Sequence, residues 1–156
     1  MIRYAPQVPF PAYAFLPGRM PHPRRDPKGH SFGTPEPKPA YLPPDQWRAN
    51  ESYLFGVDLH NHGYWWESHE LWEALWHLTD GVEGQFLQGL IQISAANIQR
   101  ALGHDPVRLA TEAIARLETV PDTVFMGLRV HDHIAGARAY HLDRTAATPP
   151  WIELAR

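Results

Sequence analysis

The sequence predicts an all-α protein, a compact bundle of about five helices preceded by an irregular proline-rich N-terminal arm. Three observations carry this reading. Of the 16 prolines, 12 fall between Pro6 and Pro44, too closely spaced for a helix or a paired strand to persist. From residue 45 onward, apolar residues recur at helical spacing, punctuated by the Asp, Gly and Pro residues that start and stop helices. A chain of 156 residues, 44% of them hydrophobic, can bury a core without metal or disulfide staples. The arm is read as residues 1–44 and the helical domain as 45–156.

The arm is expected to be extended yet ordered. It carries Tyr4, Phe10, Tyr13, Phe15, Leu16, Phe32 and Tyr41, whereas solvating linkers are poor in aromatics. It should therefore lie over a helical body, its own or a neighbour's. Arg24, Arg25 and Lys28 form the only basic cluster and read as solvated linker.

The first helix is predicted over 45–61, with Asp45 as N-cap and Gly63 just past its end, where a left-handed residue terminates helices. Trp47, Leu54, Phe55 and Leu59 give it an apolar side. The second is predicted over 64–79, stopping at Asp80-Gly81. At about 100 degrees per residue, Leu71, Leu75, Leu78, Trp72, Trp65 and Trp76 fall on one broad core face.

Beside that face the run E-S-H-E-L-W-E-A-L-W, residues 67–76, packs three carboxylates, an imidazole and two indoles into ten positions. His69, Glu70, Glu73 and His77 share an arc of about 100 degrees, so two or three can converge on one point. Glu67 reaches them mainly through Glu70, or simply places negative charge in the first helical turn.

The third helix, predicted over 84–102, buries Leu87, Ile91, Ile98, Leu102 and Ala95. Gln85, Gln88, Gln92 and Gln99 form a stripe about 60 degrees wide beside them. Uncharged amides at Gln88 and Gln92 suit a half-buried surface where each must donate and accept, for example toward carboxylates or imidazole on a facing helix, while Gln85 and Gln99 read as exposed helix formers. Asp105, Pro106 and Pro121 bracket a fourth helix with Val107, Ala110, Ile114 and Leu117 on one side; Arg108, Glu112 and Arg116 read as a solvated ion-pair face. After an irregular piece at 125–129, a last helix is predicted over 131–142. Its His131 and His133 are two apart, do not share a helical face, and read as surface or cap residues.

The order of parts, L-F-G-V-D-L-H-N-H-G-Y-W-W-E-S-H-E-L-W-E-A-L-W followed by F-L-Q-G-L-I-Q-I-S-A-A, resembles the DUF309 family across about residues 51–140. The Glu-x-His-Glu run and the Q-G-L-I-Q run occur in the family's order and separation. Position by position, the resemblance singles out Gly63, Glu67, His69, Glu70, Glu73, Trp76, Gln88, Gly89, Leu90, Ile91, Gln92, Ala95 and Ala96. It implies a small all-helical domain and no activity. The chain departs from the family at His60-Asn61-His62, where Phe-Asn is usual, and in its arm, which lies outside the family domain.

Composition narrows the function classes. No cysteine is present, so structural disulfides, thiolate nucleophiles and Cys-ligated zinc are excluded, and a metal site must use His, Glu and Asp. A formal net charge of -3 argues against nucleic acid as the partner. No apolar run approaches the roughly 18 residues of a membrane span and no charged leader opens the chain, so a cytoplasmic protein without membrane partner is expected. The tryptophan-rich surface and the arm make a homodimer one way to cover apolar area, with the arm folded on its own chain as the other.

Three functions fit these residues. In the first, Glu67, His69, Glu70, Glu73, Gln88 and Gln92 form a buried, fully satisfied network between helices two and three, which fixes their register in a binding or scaffold module. In the second, a divalent metal is held by His69 and Glu73, with Glu70, His77, His62 or Glu67 completing the shell, as in a metal-binding protein or metal-dependent hydrolase. The motif H-E-x-x-E has Glu73 where a zinc protease has its second His, and Ala74 stands where a di-iron bundle has Glu. In the third, His69 with Glu70 or Glu73 is a metal-free general base acting on a small polar substrate held by Gln88 and Gln92.

Overall fold

The computed structural model describes residues 2–156. A 3-10 helix, Pro44–Ala49, leads into five α-helices: α1 Glu51–Asn61, α2 Trp65–Trp76, α3 Gly81–Ala101, α4 Val107–Glu118 and α5 Val130–His141. Between α4 and α5 a hairpin of two two-residue strands, β1 Val124–Phe125 and β2 Leu128–Arg129, pairs antiparallel. Met126 and Gly127 both have positive φ, 46° and 80°, the backbone that a tight two-residue hairpin turn requires. The all-α architecture stands. Among the described residues, no helix is long and apolar enough to cross a membrane.

The longest helix, α3, sits at the centre with α2 on one side and α4 on the other; α1 packs on α2, and α5 on α4. Phe86, Leu87, Leu90, Ile91, Ile93 and Ile98 of α3 are all buried, so this helix is apolar on more than one face because it has neighbours on more than one face. Trp72 of α2 is fully buried and donates its indole N–H to the Tyr53 carbonyl at 3.3 Å. A Cβ at Gly56 would strike that indole, so glycine is what lets Trp72 lie against α1.

Where the predicted helices differ from the structure, local chemistry explains it. The segment 45–61 is two helices, and the N-cap of α1 is Asn50, not Asp45: Asn50 Oδ1 accepts from Tyr53 N–H at 3.0 Å. Pro43-Pro44 sets up the 3-10 turn, and Asn50 ends it with non-helical backbone. The buried side of α1 is Tyr53, Gly56, Val57 and Leu59 together with Asp58 and His60, while Leu54 and Phe55 are half-buried. Helix α2 ends at Trp76, leaving Leu78 45% exposed instead of in the core, and α3 begins at Gly81, three residues before the expected start. Gly63 has φ +85°, as expected of a helix-terminating residue. Asp105 Oδ1 accepts from Val107 N–H at 2.9 Å, the expected cap of α4, although Val107 is 41% exposed instead of lining the core.

The arm docks on the helices of its own chain. Asp58 of α1, fully buried, accepts from the Tyr4 and Ala5 backbone N–H groups, both at 2.8 Å, and lies 3.4 Å from Arg3 Nε. Phe10 stacks on Tyr64 with centroids 5.0 Å apart, and Phe15 meets Trp66 edge-on at 5.2 Å. Tyr41 donates to Glu83 at 3.0 Å. The aromatics of the arm thus cover Tyr64 and Trp66 at the start of α2. The last residues close beside the start of the arm: Leu154 N–H donates to Tyr4 Oη at 2.8 Å, and Asn61 exchanges two 2.8 Å hydrogen bonds with the Ile152 backbone.

Candidate functional site

The sequence of α2 divides its circumference. Trp72, Leu75 and Ser68 face inward; Ser68 Oγ lies 3.2 Å from Ser94 Oγ of α3, whose hydroxyl also meets His60 Nδ1 at 3.0 Å. Two small hydroxyl residues thus meet where α2 crosses α3. The acidic and imidazole residues of α2 turn outward to the arm.

There they form one group along the helix. His69 Nε2 is 3.5 Å from Glu73 Oε2, His69 Nδ1 is 3.6 Å from Glu70 Oε1, and His77 Nε2 is 3.8 Å from Glu73 Oε1. These are ion-pair separations, longer than hydrogen bonds. His69, Glu70 and Glu73 can each offer one ligand atom within 4.8 Å of the others, the grouping that helical i, i+1, i+4 spacing allows. All three side chains are half-buried to moderately exposed, and His77 is 64% exposed. Burial pushes the Glu70 carboxyl above its ordinary range, with Glu73 and Glu36 adding to the rise and His69 and Arg24 opposing it.

A cleft of about 410 Å³ opens beside this group, lined by Glu70, Glu73 and His77 of the helical body and by Glu36, Pro37 and Lys38 of the arm. Across Pro37 a second cleft of about 300 Å³ is lined by His30, Ser31, Phe55, Trp66, Glu67 and Leu71 among others. Glu70 and Pro37 border both. Glu67 faces the second cleft. Its Oε1 accepts from the Phe15 backbone N–H at 2.7 Å and lies 3.1 Å from His30 Nε2, and its Oε2 has no partner among the described residues. Burial pushes the Glu67 carboxyl up, against the hydrogen bonds from Phe15, His30 and its own backbone that pull it down.

The glutamines go elsewhere. Gln92 Nε2 donates to Glu112 Oε2 at 3.1 Å, and Arg116 donates to Gln92 Oε1 and Gln85 Oε1, both at 3.0 Å. Positions 85 and 92 lie two turns apart and both face α4, so Gln85, expected as an exposed helix former, is half-buried because Arg116 reaches across to it. Gln88 is half-buried and makes no side-chain hydrogen bond among the described residues. The expected network between α2 and α3 is therefore divided: Glu67, His69, Glu70 and Glu73 face the arm, and the amide of Gln92 serves the α3–α4 junction. Arg116, read as part of a solvated face, is one of its donors; only Arg108 and Glu112 remain as an exposed pair, at 3.5 Å. His62 is also apart from the α2 group, with Nδ1 2.8 Å from the Asp58 carbonyl oxygen and its ring against Phe10 and Trp151.

The sequence reading missed two sets of residues. His30, Ser31, Glu36 and Lys38 belong to the arm, and the aromatic content of that arm was the one signal that it would be ordered against a site. His133, expected at the surface, is 3% exposed, with neither ring nitrogen hydrogen-bonded among the described residues. Its ring lies 6.1 Å from that of buried His60. Burial lowers His133 to about 3, helped by His60, and lowers His60 to about 4 against the Pro150 carbonyl hydrogen bond.

No curated protein matches the chain. The family model described as Domain of unknown function (DUF309) matches residues 53–106, which hold Glu67, His69, Glu70, Glu73, Gln88 and Gln92 but not the arm. The crystal structure of a conserved hypothetical protein from Thermus thermophilus is similar at 36% identity and a TM-score of 0.50, over 55% of this chain and 90% of that one. An uncharacterised helical relative, matched over nine-tenths of its length, and the family model agree: the chain belongs to the DUF309 family.

Proposed function

We propose that the outward face of α2 binds a divalent transition-metal ion through His69, Glu70 and Glu73, beside a cleft that admits a small polar ligand. The observation that carries this reading is the meeting of three ligand atoms, one from each residue, within 4.8 Å. Two atoms bound to one tetrahedral ion at zinc–nitrogen and zinc–oxygen lengths lie about 3.4 Å apart. His69 Nε2 and Glu73 Oε2 stand at 3.5 Å, so this pair needs almost no movement to share an ion. Glu70 then closes from its half-buried position.

One imidazole and two carboxylates suit Zn, Mn or Fe, and they fill only part of a coordination shell. His77 stands outside this group, 3.8 Å from the other Glu73 oxygen, and would have to move to join the shell; Glu70 and Glu73 line the 410 Å³ cleft, toward which the remaining positions would open. Lys38 on the arm side supplies a positive charge to an anionic ligand there. An ion with open positions activates bound water, which makes hydrolysis of a small anionic substrate the chemistry that such a site would support. The scaffold reading loses its main support because Gln92 pairs with α4.

Elemental analysis of purified full-length protein tests the reading. It predicts near-stoichiometric Zn, Mn or Fe in the wild type and loss of that metal in Glu73→Gln. Metal-free wild-type protein that takes up none of the three on dialysis would overturn it.

A further inference from the structure

Three side chains in the second cleft are connected end to end. Ser31 Oγ lies 2.7 Å from His30 Nδ1, and His30 Nε2 lies 3.1 Å from Glu67 Oε1. Because the carboxylate can only accept, the proton of neutral His30 sits on Nε2, and Nδ1 is left to accept from the Ser31 hydroxyl. The His30 and Glu67 side chains are 4% and 6% exposed, while Ser31 is half-buried and lines the cleft.

The surroundings hold this arrangement still. The Tyr13 ring packs 4.7 Å from that of His30, and Tyr13 Oη accepts from the His30 backbone N–H at 3.2 Å. Ser31 N–H donates to the Pro23 carbonyl at 2.9 Å, and Phe15 N–H fixes Glu67 Oε1 at 2.7 Å. A Cβ at Gly29 would collide with the carbonyls of His22 and Pro23, so the turn that presents His30 and Ser31 closes only on glycine. The cleft wall is apolar along Val8, Phe55, Leu59 and Trp66, with Arg24 as its one guanidinium among the described residues.

We propose that Ser31, His30 and Glu67 form a nucleophile–base–carboxylate relay that hydrolyses small esters with a short apolar acyl group, independently of the metal site. The two ring nitrogens exchange places relative to serine proteases, Nδ1 facing the hydroxyl; the roles require only a base nitrogen on one side and an oriented N–H on the other. Ser31 Oγ bonds to the ester carbonyl carbon while the C=O π pair moves to oxygen and the hydroxyl proton passes to His30 Nδ1. The imidazolium so formed donates to Glu67 through Nε2. The carbonyl re-forms, the C–O bond to the alcohol breaks, and the leaving oxygen takes the proton from Nδ1. Water adds to the acyl-Ser31 by the same route, giving the carboxylic acid and restoring the hydroxyl, so one ester and one water become one acid and one alcohol. Arg24, whose Nη1 donates to the Thr34 carbonyl at 2.9 Å, is the one cation lining the cleft beside the oxyanion among the described residues, and the 300 Å³ volume admits an ester of the size of an acetate or butyrate.

The test is covalent labelling of the full-length protein by a fluorophosphonate, with hydrolysis of p-nitrophenyl acetate and butyrate alongside, all in excess EDTA. The expected result is a single phosphonyl adduct that peptide mapping places on Ser31. Ser31→Ala should remove the adduct and lower hydrolysis by roughly 100-fold or more. His30→Gln, checked by circular dichroism to retain the helical fold, should lose labelling although Ser31 is still present. No adduct on wild-type Ser31, wild-type hydrolysis in Ser31→Ala, or undiminished labelling in folded His30→Gln would each overturn the proposal.

Discussion

Replacing His133 with leucine should flatten the acid sensitivity of the fold. His133 is 3% exposed, neither ring nitrogen has a partner among the described residues, and its neighbour His60 is equally buried at 3%. Burial holds their folded-state values at about 3 and about 4, below the ordinary 6.5. Between 6.5 and those values the unfolded chain binds protons that the folded chain refuses. Stability is therefore full above about pH 6.5 and is lost as pH falls. Each such group contributes a slope of about 1.4 kcal/mol per pH unit, so the pair gives about 3 kcal/mol per unit in this window. From pH 6.5 to 4.5 the loss is roughly 5 kcal/mol, comparable with the whole stability of many domains. His141, fully buried and also lowered, acts in the same direction; the raised carboxyls of Glu67 and Glu70 act in the other. In His133→Leu the slope should fall by about 1.4 kcal/mol per pH unit, with stability at pH 7.5 unchanged or higher because an unpartnered polar group has left the core. Urea denaturation at half-unit steps from pH 7.5 to 5 measures both slopes. Equal slopes in wild type and variant would refute the reasoning, because a buried neutral imidazole cannot be removed without changing the proton balance of unfolding.

Two further substitutions test the junctions that place the site. Asp58→Asn turns an acceptor of the Tyr4 and Ala5 N–H groups into an amide that satisfies them poorly, loosening the arm by about 2 kcal/mol. Tryptic cleavage at Arg19, Arg24 and Arg25 should then run about 30-fold faster while the helical circular dichroism is retained; unchanged cleavage would mean that Asp58 does not anchor the arm. Arg116→Met removes the donor shared by Gln85 and Gln92 at the α3–α4 junction and should cost about 1–2 kcal/mol, lowering the thermal midpoint by about 3–6 °C. A midpoint unchanged within a degree would show those hydrogen bonds to be exchanged for water without loss.

Local chemistry made most of the helical body legible in the sequence. Asp105 and Pro106 announced α4, Gly63 announced the end of α1, and the helical spacing of Trp72, Leu75 and their neighbours placed α2. Two prolines at 43 and 44 ahead of Asp45 hid the better cap, Asn50, because both residues can cap and only the turn between them chooses. The direction of the glutamine stripe was not legible, since a helix with neighbours on two sides offers each stripe two partners. Period alone gave the angle between Gln92 and Leu90 but not whether α2 or α4 stands opposite. The arm's part in the site was least visible: 37 positions separate His30 from Glu67 and 53 separate Ala5 from Asp58, and no local pattern encodes such pairings. The acidic and imidazole run of α2 was identified, its orientation toward the arm was not.

The most direct test of the metal reading is a calorimetric titration of Zn²⁺ and Mn²⁺ into metal-depleted full-length protein, repeated on Glu70→Gln and Glu73→Gln. The geometry of His69, Glu70 and Glu73 predicts one site per chain in the wild type. Because protons compete for the raised Glu70 carboxyl, affinity should weaken as pH falls, and each substitution should weaken it by roughly tenfold or more. Absence of heat with both ions in the wild type, or equal binding in all three proteins, would contradict the assignment.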